Sequence, residues 1–348
     1  MTIESFIRAM PKIDINLRLE GAIDYNALVI IAEQNDVPLA TKPNKALLKL
    51  LTQPDFSQLD DLLRRSSKWL QQPEDFTRVV YEAGVSLAKQ NVRYAEIGIA
   101  PSLYAENAMT FEQLLTALND GRARVERAWN VQIRWVLNVF RDEPRKLDDI
   151  VRWASSTAAI KGGVVGIGLI GREVRGWVEE FERPFRTAQK KDLSRSVEVL
   201  DNHNDIQRII QEYAPERVIC AAAIAENDDI MRYASDIHAR LNVCMAHSIA
   251  TGKIASYSSF PLRRLVDDGA IISLGTGLPS FYHSTLVQEY LAVVQDIGLS
   301  ISELETIGLN AIAASFMADE IKTAMTDDFK AAYAQLRAEH DVVADKAS

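Results

Sequence analysis

The chain has 348 residues, of which 47% are hydrophobic and 25% are charged, and its formal net charge is −9. This composition excludes an intrinsically disordered chain, and the acidic excess argues against a nucleic-acid-binding protein, which would present a basic surface. No apolar run is long enough for a bilayer, and we expect no signal peptide at the start. Two cysteines, Cys220 and Cys244, make no disulfide framework, so a cytoplasmic protein without a membrane partner is expected.

Short apolar runs alternate with longer amphipathic stretches along the chain. Helices are expected over residues 1–10, over an insertion at 38–72 and over a tail at 318–348. Buried strands are predicted by near-continuous apolar runs at 13–19, 92–100, 131–140, 163–170, 196–200, 217–222, 241–246 and 270–274. Helix-start signals occur at Asp24, Thr110 with Gln113, Pro144, and Ser300 with Glu303.

Eight strands alternating with helices predict a single (β/α)8 barrel of the α/β class, spanning residues 1–348 with extra helices. A doubly wound open sheet is the alternative, but no G-x-G-x-x-G motif follows an early strand to favour it. The chemistry of a barrel lies at the carboxyl ends of its strands. Functional residues are therefore expected directly after the predicted strands.

Several segments at those positions resemble motifs of the adenosine deaminase family, in the amidohydrolase superfamily. The segment MPKIDINLRLEGAI resembles the family's first strand, LPK-x-E-L-H-x-H-L-D/E-G, and EIGIAPSL resembles E-V-R-x-S-P. The segments GLIGRE, SVEVLD and ERVICAAAI resemble D-L-A-G-D-E, T-V-H-A-G-E and E-R-I-G-H-G. Finally, ISLGTGLPS resembles S-L-N-T-D-D-P, and LNAIAASF resembles N-A-x-x-S-F. The matches run in order from Pro11 to Phe316, and they imply the family's barrel.

The resemblance also implies one zinc ion, but this chain departs from the family at each zinc ligand. The four ligand positions hold Asn16, Arg18, Glu198 and Gly277. Glycine has no side chain, an amide is a poor zinc ligand, and a guanidinium repels a dication and cannot shed its proton. We therefore predict a metal-free chain without cofactor. We also expect Arg18 to form an ion pair with Glu198 or Asp201 in place of the metal.

The catalytic positions that the resemblance implies are altered as well. The histidine that orients the attacking water is replaced by Cys220, and the glutamate that protonates the purine ring is replaced by Asp201. Three residues remain as catalytic candidates: Asp201, Glu198 and Cys220. A cation near Cys220 would make it a nucleophile by lowering its pKa, whereas the alternative is a small buried apolar residue.

Parts of a nucleoside pocket are retained in the sequence. Glu20 matches the family acid that contacts the ribose 5′-hydroxyl, with a solvated acid at the rim as the alternative. Gly171 matches the glycine whose N–H meets the purine ring, with a plain turn at the strand end as the alternative. With Arg18, Asn16 and His247, these two residues form the predicted ligand-binding set.

Three functions follow from these residues. The first is a pseudoenzyme that binds a purine-like small molecule or regulates a protein partner such as an active relative. A protein partner and a homo-oligomer are the assemblies considered for it. The second is a divergent enzyme that acts on a purine-like substrate through Glu198, Asp201 and Cys220. The third is a metal-dependent hydrolase with ligands from elsewhere, such as His247 and His283.

Overall fold

A single parallel sheet forms the centre of the molecule in the computed structural model, which describes residues 2–105, 109–172, 177–199, 205–220 and 222–340. Its strands neighbour one another in chain order: β1 (Lys12–Arg18), β2 (Val92–Ile99), β3 (Gln132–Phe140), β4 (Val164–Ile170), β5 (Ser194–Val199), β6 (Arg217–Cys220), β7 (Arg240–Val243) and β8 (Ile271–Leu274). The Arg18 N–H donates to the Gly277 carbonyl (2.8 Å), and the Gly277 N–H donates to the Asn16 carbonyl (2.7 Å). These bonds join the segment after β8 to β1, so the predicted (β/α)8 barrel is confirmed.

Helices connect the strands and cover the sheet. They are α1 (Ile3–Ala9), α2 (Leu19–Ala22), α3 (Tyr25–Gln34), α4 (Lys42–Thr52), α5 (Leu59–Ser67), α6 (Pro73–Lys89), α7 (Phe111–Trp129), α8 (Pro144–Ala154), α9 (Thr157–Lys161), α10 (Trp177–Lys190), α11 (Ile206–Tyr213), α12 (Asp228–Asp236), α13 (Met245–Ala250), α14 (Leu262–Asp267), α15 (Pro279–Tyr282), α16 (Leu286–Gln295), α17 (Ile301–Ala314) and α18 (Asp319–His340). Thr110 and Ser300 form the capping boxes that the sequence predicts. No helix in the described ranges is both long and apolar enough to cross a membrane.

Charged side chains fill the end of the barrel interior where the strands begin. Arg217, the first residue of β6, forms a fully buried ion pair with Glu96 of β2. Glu96 also accepts from the Tyr94 hydroxyl at 3.0 Å and from the Phe316 N–H at 2.5 Å. Because β2 and β6 lie on opposite sides of the barrel, this cluster crosses the interior. Access for a ligand is therefore from the other end, where the strands finish.

Candidate functional site

A cavity of about 610 Å³ opens at the carboxyl ends of the strands. It is lined by Arg18 at the end of β1, by Gly171, which directly follows β4, and by Glu198 of β5. His247 of α13 and Tyr282 of α15 also line it. The structure thus brings together four residues that the sequence singled out, at the position where barrels carry their chemistry.

Glu198 is a buried carboxylate inside this cavity, which we call the mouth cavity. Its Oε2 accepts the backbone N–H of Gly171 at 3.0 Å. Burial raises the pKa of Glu198 above its usual value, whereas the charges of Arg18 and Arg141 and the Gly171 N–H act to lower it. The carboxylate therefore lies within the field of two guanidinium groups.

Arg18 is the most unusual residue of the mouth cavity. Its side chain is 4% exposed, and its guanidinium carbon lies 5.7 Å from the centroid of the Phe140 ring. Within the described residues, its Nε and Nη2 atoms are buried and have no hydrogen-bond partner. Buried donors are normally satisfied, so this guanidinium offers hydrogen bonds that the described protein does not use.

The predicted contact between Arg18 and Glu198 is not formed. No Arg18 nitrogen lies within 4.0 Å of a carboxylate oxygen in the part of the chain that the structure describes, although its charge lowers the pKa of Glu198. Glu198 takes the Gly171 N–H as a partner instead. Asp201, the other expected partner and a catalytic candidate, lies outside the described residues.

Aromatic rings form one side of the mouth cavity. The Nδ1 atom of His247 lies 3.0 Å from the Tyr282 hydroxyl, and the two rings meet edge to face with centroids 5.4 Å apart. Phe56 also lines the cavity, with its ring centroid 5.8 Å from that of Tyr282. These surfaces suit a flat, partly apolar ligand.

Two residues of the predicted ligand-binding set do not line the mouth cavity. Asn16 is buried next to Gly275, whose missing Cβ would lie 2.7 Å from the Asn16 Cβ. Glu20 lines a neighbouring cavity together with Leu28 of α3 and Gln288 of α16. Its Oε1 accepts the Ala100 N–H at 2.9 Å, which ties this carboxylate to the residue after β2.

Of the two interpretations of Cys220, the structure favours the small buried apolar residue over a nucleophile activated by Arg18. Cys220 is buried and does not line the mouth cavity. Burial alone raises the pKa of its thiol to about 12, and no cation lowers it. The residue therefore fits the alternative interpretation, a small apolar residue of the core. His283, offered as a metal ligand, is exposed and lines other cavities.

Arg141 and Asp60 are the residues that the sequence interpretation missed. Arg141 follows β3 directly and donates from Nη1 to the Gly171 carbonyl. Functional residues are expected directly after the predicted strands, and Arg141 is the first residue after the predicted strand 131–140, so this expectation could have identified it. Asp60 comes from α5 in the helical insertion and accepts the Arg172 N–H at 2.9 Å. No local signal in the sequence places an insertion over the barrel.

The residues at the expected metal position do not fit a zinc ion. Gly277 has no side chain, Asn16 is a poor ligand, and the Arg18 guanidinium would repel a dication. Glu198 is the single carboxylate of the set, and its Oε2 already accepts an N–H. In the described part of the chain, no group of three or more His, Cys, Asp or Glu side chains could hold a metal.

Comparisons with known proteins agree with this barrel. The family model described as adenosine deaminase matches residues 11–332. An adenosine deaminase from Clostridium perfringens is 23% identical over 320 residues, which cover 90% of this chain and 96% of that protein. A zinc-bound amidohydrolase structure from Burkholderia ambifaria has a TM-score of 0.87 at 19% identity and covers 97% of this chain and 95% of its own. An N6-methyl-AMP deaminase from Arabidopsis thaliana has a TM-score of 0.83 at 22% identity, covering 95% and 99%.

Proposed function

Because the chain belongs to the adenosine deaminase family, we propose that it is a metal-free member that binds a purine nucleoside-like ligand and lacks zinc-dependent deamination. The observation that carries the proposal is the buried guanidinium of Arg18 at a position where the family resemblance implies a zinc-binding histidine. A second guanidinium, that of Arg141, acts on the same carboxylate, Glu198. Two fixed cations thus provide positive charge that zinc would otherwise supply.

The loss of zinc removes the nucleophile of a hydrolytic deaminase. Such an enzyme needs a metal to lower the pKa of bound water towards neutrality. The residue at the water-orienting position, Cys220, has a raised pKa and lies outside the mouth cavity. In this proposal the chain's residues bind and orient a ligand, and none of them takes over the activation of water from zinc.

The cavity itself supports a purine-like ligand. Its volume of about 610 Å³ is in the range of small-molecule sites, and aromatic rings line it beside charged groups. The relatives named above act on adenosine and N6-methyl-AMP, both of which are purines. We propose a cytoplasmic location, since both cysteines are free thiols. Regulation of a protein partner is the other way in which such a metal-free member would act, and self-association is also proposed.

Metal content and turnover test the proposal together. Untagged protein purified without chelator should contain less than about a tenth of a zinc equivalent per chain. It should release no ammonia from adenosine or adenine and no methylamine from N6-methyl-AMP, while the Clostridium perfringens adenosine deaminase serves as the active control for adenosine. Near-stoichiometric zinc with chelator-sensitive turnover would contradict the proposal.

The divergent enzyme is the second candidate, and one result would favour it. Turnover that resists chelator and disappears in Asp201→Asn would show metal-independent acid–base chemistry by that residue. The matched control is Asp236→Asn, at the end of α12, which should leave such turnover unchanged.

A further inference from the structure

Arg18 presents unused hydrogen-bond donors to the mouth cavity. Its Nε and Nη2 atoms have no partner in the described part of the chain, although the side chain is 4% exposed. Leaving a buried charged donor unsatisfied is costly, and a ligand acceptor placed there would remove the cost. The residue therefore selects a ligand with an acceptor atom at this point.

Glu198 presents the opposite requirement in the same cavity. Its Oε2 accepts the Gly171 N–H, and its Oε1 accepts no hydrogen bond from the described residues. An ionised carboxylate is an acceptor only, so the free Oε1 calls for a donor on the ligand. Arg18 and Glu198 both line the mouth cavity, so one ligand bound there can meet the donor and the acceptor of the protein.

The aromatic side of the cavity limits what such a ligand can be. Phe56, His247 and Tyr282 present ring surfaces within one connected group. A planar heterocycle can stack on these rings, whereas an inorganic anion gains nothing from them. The ligand is therefore flat and carries an acceptor next to a donor on one edge.

We infer that the mouth cavity prefers 6-oxopurines to 6-aminopurines. A 6-oxopurine presents an acceptor, O6, beside the N1–H donor, which matches the Arg18 donors and the Glu198 acceptor. A 6-aminopurine presents a donor amino group beside the acceptor N1, so both contacts are opposed. This inference rests on the proposed function, and it adds that the preferred ring is the oxo form and not the amino form on which adenosine deaminases act.

Isothermal titration of the full chain with matched purines tests this preference. Hypoxanthine and inosine should bind at least about tenfold more tightly than adenine and adenosine. The two oxo compounds match the hydrogen bonds of Arg18 and Glu198, whereas the two amino compounds place donor against donor and acceptor against acceptor. The rings are nearly identical in shape, so a difference in affinity reports the hydrogen-bonding groups at positions 1 and 6 of the purine. Equal or tighter binding of adenine overturns the inference while leaving the proposed function intact, and no binding of any purine overturns both.

Substitutions assign the preference to Arg18. Arg18→Met should reduce the difference between inosine and adenosine to less than about threefold, and Arg18→Lys should restore part of it. Arg152→Met, on the exposed face of α8, is the matched control and should keep the full difference. Thermal unfolding confirms that each variant is folded. Phosphate that binds as tightly as inosine and depends on Arg18 would instead show a plain anion site and overturn the inference.

Discussion

The backbone N–H of Gly171 donates to Oε2 of Glu198 at 3.0 Å, and this bond joins the ends of β4 and β5 at the mouth of the barrel. The family resemblance assigns that N–H to the purine ring. Here it is already used within the protein. Glycine is required at this position, because its φ of +90° is left-handed and a Cβ would lie 2.8 Å from the Phe140 ring. The Gly171 N–H is therefore satisfied within the protein.

Restoring histidines should restore zinc binding. The triple change Asn16→His, Arg18→His and Glu198→His removes the repelling cation and supplies three protein ligands, the number that catalytic zinc sites use. We expect zinc content near one equivalent by elemental analysis. Gly277→Asp is left out, because φ at Gly277 is +61° and a Cβ would lie 3.3 Å from the Tyr282 ring.

The single variant Arg18→His is the control for that experiment, since it supplies one ligand and should stay near background. A triple variant that folds and still binds no zinc would show that these three positions do not converge on one point.

The ion pair between Arg217 and Glu96 should be a main support of the closed end of the barrel. Arg217→Met leaves the Glu96 carboxylate buried without its cation, although the Tyr94 hydroxyl and the Phe316 N–H remain. We expect the free energy of unfolding to fall by about 3–5 kcal/mol in urea denaturation. The double variant Glu96→Gln with Arg217→Met should recover much of this loss. A single variant as stable as the wild type would contradict the assignment.

Glu289 should make stability depend on pH. It accepts the N–H groups of Met245 (2.8 Å) and Ala246 (3.0 Å), at the start of the helix that carries His247. Burial raises its pKa from 4.5 to about 7. Between pH 4.5 and pH 7 the Glu289 carboxyl keeps its proton in the folded state, whereas it has lost that proton in the unfolded state. The free energy of unfolding therefore falls as the pH rises from 4.5 to 7. The contribution is on the order of 3 kcal/mol.

Urea denaturation at pH 5 and pH 8 measures the contribution of Glu289. The difference between the two pH values should shrink in Glu289→Gln and should be unchanged in Glu320→Gln, at the exposed start of α18. An unchanged difference in Glu289→Gln would show that the carboxyl titrates normally.

Gly21 should tolerate no side chain. A Cβ there would lie 2.4 Å from the Leu278 Cα, so the chain after β8 would have to move away from α2. We expect Gly21→Ala to lower the free energy of unfolding by about 2–3 kcal/mol. Gly298→Ala separates this clash from backbone strain, because its Cβ meets nothing within 4 Å while its φ is +76°. That control should cost about 1 kcal/mol. Calorimetric unfolding of both variants provides the comparison.

The periodicity of the sequence was sufficient to predict the barrel. Near-continuous apolar runs such as 163–170 indicate strands buried on both faces, and the capping boxes at Thr110 and Ser300 indicate where helices begin. These signals are local, since each depends on residues that are close in the chain. The family resemblance identified Asn16, Arg18 and Gly277 as zinc-ligand positions, and their unsuitability for zinc then follows from the chemistry of each residue.

The tertiary structure decided which of the predicted residues act together. Glu20 and Arg18 are two residues apart in the chain, yet they line different cavities. Cys220 was open to two interpretations, and only the folded chain shows that its thiol is buried and that burial raises its pKa. Arg141, directly after β3, contacts Gly171 at the mouth cavity, and Asp60, from the helical insertion, contacts Arg172. Side-chain direction, burial and electrostatic environment depend on contacts between distant segments, and those contacts exist only after the chain has folded.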